Sequence, residues 1–113
     1  MQTVTIKEIN VHQLRELMSR NIDFQLVDVR EPYETEIASL GGDLIPQNSI
    51  PSNLEKLSRE KPVIIYCRTG VRSADTVSYL QEMHGFDNVY NLKGGIHAWA
   101  DEIDPSISKY ENH

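Results

Sequence analysis

Apolar positions along this chain recur with two periods, and their alternation predicts strand and helix from end to end. Thr3 to Ile6 is a short β-branched segment of strand character. Asn10 then reads as an N-cap, with Gln13 three residues on, and Val11, Leu14, Leu17 and Met18 fall on one helical face. Phe24 to Val29 is a nearly unbroken apolar run that suits a buried parallel strand. Pro32 sits where a helix begins, and Gly41 with Gly42 keeps that helix short. Asp43 to Ile45 is a minor strand, followed by a loop holding Pro46 and Pro51. Ser52 and Glu55 form a capping box over Leu54 and Leu57. Val63 to Tyr66 is the strongest strand, and Ala74, Val77 and Leu80 give a helical stripe that stops at Gly85. Val89 and Tyr90 form the last strand, Gly94-Gly95 a tight turn, and Ile96, Trp99 and Ile103 a final helical face closed by Pro105.

Repeated strand–helix units predict an α/β fold: a mainly parallel five-stranded sheet with helices on both faces. With 113 residues and no repeat or linker, residues 1–113 are expected to form one domain. A chain of this size buries roughly two-thirds of its surface on folding, enough for one core without metal or disulfide staples. The net charge of −6 makes a phosphodiester backbone a poor partner, so no nucleic-acid role is expected. A single cysteine, Cys67, excludes an intramolecular disulfide. The first residues lack a basic-then-apolar leader, and the longest apolar run, Val63 to Cys67, is far short of the ~20 residues that cross a bilayer. A cytoplasmic protein with no membrane partner is the expectation.

Ligands of such sheets bind beyond the carboxyl ends of the strands, and Cys67 lies at one of them. The stretch Cys67-Arg68-Thr69-Gly70-Val71-Arg72-Ser73 leads from the strongest strand into a helix. A helix entry offers unpaired backbone N–H groups and partial positive charge, and Gly70 permits the tight curvature of an N–H cradle. Residues 59–72 hold Arg59, Lys61, Arg68 and Arg72 against Glu60 alone, in an otherwise acidic chain. Cys67 at the mouth of that cradle is expected to favour its thiolate form, making it a nucleophile aimed at an anionic substrate. A buried inert cysteine would sit in apolar surroundings instead.

Three motifs, Leu26-Val27-Asp28-Val29-Arg30-Glu31 with Tyr33 and Glu34, Cys67 through Ser73, and Asn91-Leu92-Lys93-Gly94-Gly95-Ile96 with Trp99, resemble those of a single-domain rhodanese, a sulfurtransferase domain. The resemblance covers almost the whole chain. The ending Asp104-Pro105-Ser106 with Tyr110 is similar to rhodanese domains fused to adenylyltransferases of molybdopterin and thiamine biosynthesis. Where the family often carries His-Ile-Pro-Gly-Ala, Ser39-Leu40-Gly41-Gly42-Asp43 stands here, which is expected to change only the pocket rim. The resemblance implies a cysteine that cycles through a persulfide, with no metal and no organic cofactor. Cys67 would carry the sulfur, and Arg68, Thr69, Gly70, Val71, Arg72 and Ser73 would bind the small anionic donor, thiosulfate or a persulfide. A thiol or a protein would accept the sulfur.

Two other classes compete. Cysteine-dependent phosphatases build a similar cradle but use Cys-x5-Arg, whereas Cys67 and Arg72 give Cys-x4-Arg. A non-catalytic binding module on the same fold would dispense with the cysteine, which is present here with both arginines. Asp28 and Glu34 are expected to support the loop by pairing with its arginines, Arg72 above all. Arg30 and Glu31 are weaker candidates for substrate contacts. His12, His84, His97 and His113 lack metal-ligand spacing; His84 suits a helix C-terminus, and for His97 a surface position is favoured over one near the pocket. Trp99 and Tyr90 are expected in the core, and Asp101, Glu102 and Asp104 on a solvated face.

Overall fold

The computed structural model describes residues 5–111. Its five strands are β1 (Glu8–Ile9), β2 (Gln25–Asp28), β3 (Asp43–Leu44), β4 (Val63–Tyr66) and β5 (Val89–Leu92). They form one sheet in the order β1-β5-β4-β2-β3, and every pairing is parallel. Four helices accompany them: α1 (Val11–Ser19), α2 (Pro32–Ile37), α3 (Val71–His84) and α4 (Gly95–Glu102).

The period of two along β4 explains the two-sided core. Val63, Ile65 and Cys67 join one cluster with Val77 and Leu80 of α3, while Ile64 and Tyr66 join another with Val11 and Leu14 of α1 and Ile96 of α4. All four β4 residues are buried, as a central parallel strand requires. From β2 the chain runs outward to β3, and from β4 it runs outward the other way to β5. The strand order therefore reverses between β2 and β4, and the crevice beyond their carboxyl ends is where such sheets hold ligands. Cys67 follows β4 there, one residue past Tyr66, which is in register with Asp28 of β2.

Several elements stand as the pattern predicts. Asn10 caps α1 with a reciprocal box, its side chain accepting from the Gln13 N–H and its own N–H donating to Gln13 Oε1, each at 2.8 Å. Pro32 opens α2, and Gly85 ends α3 in the left-handed conformation. Two expectations need correction. Of the expected strand Thr3 to Ile6, residues 3 and 4 lie outside the described residues, and Thr5 and Ile6 are not in a strand; the edge strand is Glu8–Ile9, in register with Asn91 and Leu92 of β5. Ser52 and Glu55 form no capping box, because Ser52 already ends a 3-10 turn, Gln47–Ser52. Asn53 precedes the next turn, Leu54–Lys56, which is too short to fold a capping side chain back.

Candidate active site

The loop from Cys67 to Gly70 is held from behind by the start of α4. The N–H groups of Ile96 and His97, unpartnered within their own helix, donate to the carbonyls of Cys67 and Arg68 at 3.0 Å each. That approach leaves no room for a side chain at Gly95, which has φ +59°. A Cβ there would fall on the carbonyl oxygens of Cys67 and Arg68. Gly95→Ala is therefore expected to destabilise the fold by about 3 kcal/mol or more, through strain and backbone collision. Denaturant unfolding checks it, and a loss below about 1 kcal/mol would show that the loop yields freely.

With those carbonyls turned toward α4, the loop directs donors at the sulfur. The Gly70 N–H reaches Cys67 Sγ at 3.1 Å and the Ser73 N–H, in the first turn of α3, at 3.4 Å. Gly70 precedes α3 with φ +99°, the left-handed bend that lets its N–H face back to the cysteine. Ser73 Oγ lies 3.3 Å from Sγ and 2.5 Å from Asn91 Oδ1. A hydroxyl has one proton to give. The Asn91 amide nitrogen is committed to Glu8 at 2.9 Å, so its oxygen takes the Ser73 proton. The sulfur thus faces two backbone donors at the positive end of a 14-residue helix. Cys67 itself is buried at the bottom of this cradle.

The two loop arginines are held differently. Arg72 makes a bidentate pair with Glu34 of α2, Nη1 to Oε2 at 2.7 Å and Nη2 to Oε1 at 2.8 Å. Glu34 is fully buried and also accepts from the Glu31 N–H and from Tyr110 Oη, each at 2.8 Å. Burial opposes its ionisation, but Arg72 and these two donors prevail and hold its pKa near about 2. Arg68, by contrast, has a single long contact, Nη1 to the Tyr110 carbonyl at 3.5 Å, and its Nε has no protein partner. Its guanidinium keeps donors to offer an anion.

The remaining expectations meet this geometry with different outcomes. Glu34 holds Arg72, as the carboxylate–arginine argument required. Asp28 does not hold a loop arginine. It pairs with Arg30, two residues on, Oδ1 to Nε at 2.9 Å and Oδ2 to Nη2 at 2.8 Å, because both side chains turn inward after β2. Arg30 is wholly buried, its remaining donors on Tyr110 Oη and the Ala38 carbonyl, so it makes no substrate contact. His97 is not a surface residue but half-buried, ring edge against Tyr110 at 5.5 Å; burial and the charge of Arg68 lower its pKa. His84 ends α3 as expected, beside Tyr79 Oη at 2.9 Å, and His113 lies outside the described residues. Trp99 and Tyr90 pack against the core.

Sequence reasoning missed Asn91, Tyr66 and Tyr110 as parts of the site. Asn91 had a usable signal: an amide in a strand between apolar neighbours must be paired. Tyr66 Oη lies 2.8 Å from the Gly41 carbonyl and 3.1 Å from an Asp28 carboxylate oxygen, with one proton for the two, and accepts from the Leu40 N–H at 3.3 Å, seating the Ser39–Asp43 segment against β4. A cavity of about 480 Å³ lies elsewhere, between Phe24, Lys56 and Lys61, and Cys67 does not line it.

A lone cysteine beyond the central strand of a parallel α/β sheet, facing two backbone N–H donors and with arginines one and five residues on, defines a class: a parallel α/β domain with a cysteine loop at the head of a helix. The chain belongs to the rhodanese-like domain family, whose sequence profile matches residues 10–102. It is 37% identical to the putative sulfurtransferase YtwF of Bacillus subtilis over 88% of this chain and 96% of that one. It is 36% identical to the probable adenylyltransferase/sulfurtransferase MoeZ of Mycobacterium tuberculosis, over 90% of this chain but 26% of that protein. The crystal structure of a rhodanese-like domain protein from Staphylococcus aureus superposes with a TM-score of 0.77 at 38% identity, covering 87% of this chain and 95% of that one. The first curated relatives are longer proteins, of which the chain spans between 26% and 38%. Among the described residues, no helix is long and apolar enough to cross a membrane.

Proposed function

We propose that this domain is a sulfurtransferase that moves a sulfane sulfur from a small anionic donor, thiosulfate or a persulfide, through a Cys67 persulfide to a nucleophilic acceptor. The observation that carries the reading is Cys67 Sγ at the head of α3, receiving the Gly70 and Ser73 N–H groups. Relatives named sulfurtransferases support the same class. In the first step the Cys67 thiolate attacks the outer sulfur of thiosulfate. The donor's S–S bond breaks, its electron pair leaves with sulfite, and Cys67–S–S⁻ remains. Arg68 and the backbone from Thr69 through Val71 to Ser73 hold the departing sulfite, and the same N–H groups stabilise the terminal sulfur. In the second step an acceptor thiol, free or on a protein, attacks that terminal sulfur and frees the Cys67 thiolate. Arg72, clamped by Glu34, closes the ring rather than meeting the donor. Neither step draws on a metal or an organic cofactor.

The four-residue spacing between Cys67 and Arg72 suits one sulfur, while a phosphoryl group needs a wider ring. Kinetics on thiosulfate and on an aryl phosphate, run side by side, are expected to show turnover of the first and none of the second. Phosphate-ester turnover comparable to sulfur transfer would overturn the assignment.

A further inference from the structure

We propose that Tyr110 is a positioning residue for the Cys67 site, through which the segment following α4 sets both loop arginines. One residue reaches both, Arg68 directly and Arg72 through Glu34. The Tyr110 hydroxyl accepts from Arg30 Nη1 at 2.9 Å and donates to Glu34 Oε1 at 2.8 Å, the oxygen that also takes Arg72 Nη2. Its backbone carbonyl accepts from Arg68 Nη1, the sole protein contact of that guanidinium among the described residues. The ring packs edge-on to His97, whose backbone N–H holds the Arg68 carbonyl.

The segment carrying Tyr110 is docked. Asp104 Oδ1 accepts from the Ser106 N–H and hydroxyl, the Ile107 N–H donates to the Asp104 carbonyl, and Ile107 packs against the core on the α1–α4 face. Tyr110 is itself only 9% exposed. Its hydroxyl bonds Arg30 and Glu34, which are paired in turn with buried Asp28 and partly buried Arg72, so a neutral hydroxyl joins two charges of each sign. Burial accordingly pushes its pKa up to about 12, keeping the proton that fixes the Glu34 carboxylate. Without the hydroxyl, Glu34 lacks a donor and Arg30 an acceptor, and the Arg72 fork loses the rigid carboxylate it was built on. A site whose anion contacts must hold to a fraction of an ångström responds to such a shift.

This inference rests on the sulfur-transfer reading for its kinetic part only, and the test separates the two. Cys67 is alkylated with iodoacetate, an anion, and with iodoacetamide, its neutral analogue. The rate ratio reads the positive field of the arginines at the sulfur without any sulfur transfer. Tyr110→Phe is expected to lower the ratio about threefold and to raise the thiosulfate KM about fivefold, with kcat changed less than twofold. Ile107→Ala, which loosens the same segment without touching the network, should lower the ratio in the same direction and supplies the test should Tyr110→Phe not fold. Leu17→Ala, a core change on the same face, should lower the melting temperature and leave the ratio at the wild-type value. An unchanged ratio in Tyr110→Phe and Ile107→Ala, or an equal fall in Leu17→Ala, overturns the proposal. A ratio that responds in a wild-type protein forming no persulfide would sink the sulfur-transfer reading and leave the positioning role standing.

Discussion

Cys67→Ser is expected to keep the fold and to bring sulfur transfer down to the uncatalysed background. The chain has one cysteine, so no second thiol can take over. A serine hydroxyl fits the space of the thiol and can accept from the same Gly70 and Ser73 N–H groups, so the stability cost should stay within about 1 kcal/mol. It cannot form a persulfide, because the alkoxide is inaccessible near neutral pH and the chemistry runs through sulfur. Intact mass after thiosulfate treatment reads the intermediate directly. Wild type should gain about 32 Da, removed by cyanide or a thiol, and Cys67→Ser should gain nothing. Turnover retained by the serine variant would remove Cys67 from the mechanism.

Glu34→Ala should give the largest loss of stability at the site, about 3–5 kcal/mol, because it strands Arg72 and Tyr110 beside a vacated carboxylate. Stability against pH carries the sign. Glu34 is held near about 2 in the fold against an ordinary 4.5, so its contribution is complete above pH 4.5 and is lost as pH falls toward 2. That shift of pKa corresponds to about 3 kcal/mol. Wild type should therefore weaken steeply across that window, and Glu34→Ala should show a flatter acid limb from a lower plateau. Urea midpoints measured between pH 2 and 7 decide it. Parallel acid limbs in the two proteins would mean that Glu34 is not the titrating group.

The buried set around Glu34 also marks the limit of local reasoning. The pairing of Glu34 with Arg72 was legible because an arginine at the head of a cysteine loop calls for a carboxylate, and Glu34 stands in a motif of the right kind. The choice of Arg30 as the partner of Asp28 was not legible. Residues two apart on a strand share a face, but here the chain has left β2 before Arg30, and only the bend after Asp28 brings the two together.

The alternating and helical periods, the caps at Asn10 and Gly85, and the Cys67–Ser73 stretch after the strongest strand are properties of local chain chemistry. They determined the α/β class, four of the five strands and the position of the nucleophile, because each depends on residues within a turn or two of one another. What the tertiary structure decided is which distant groups meet at that nucleophile. Asn91 orients Ser73 from β5, the start of α4 holds the loop from behind through a gap that only Gly95 leaves open, and Tyr110 reaches Glu34 from 76 residues away. No period encodes such contacts. They follow from strand order and register, which place β5 and α4 beside β4 and bring the last segment back over the crevice between β2 and β4.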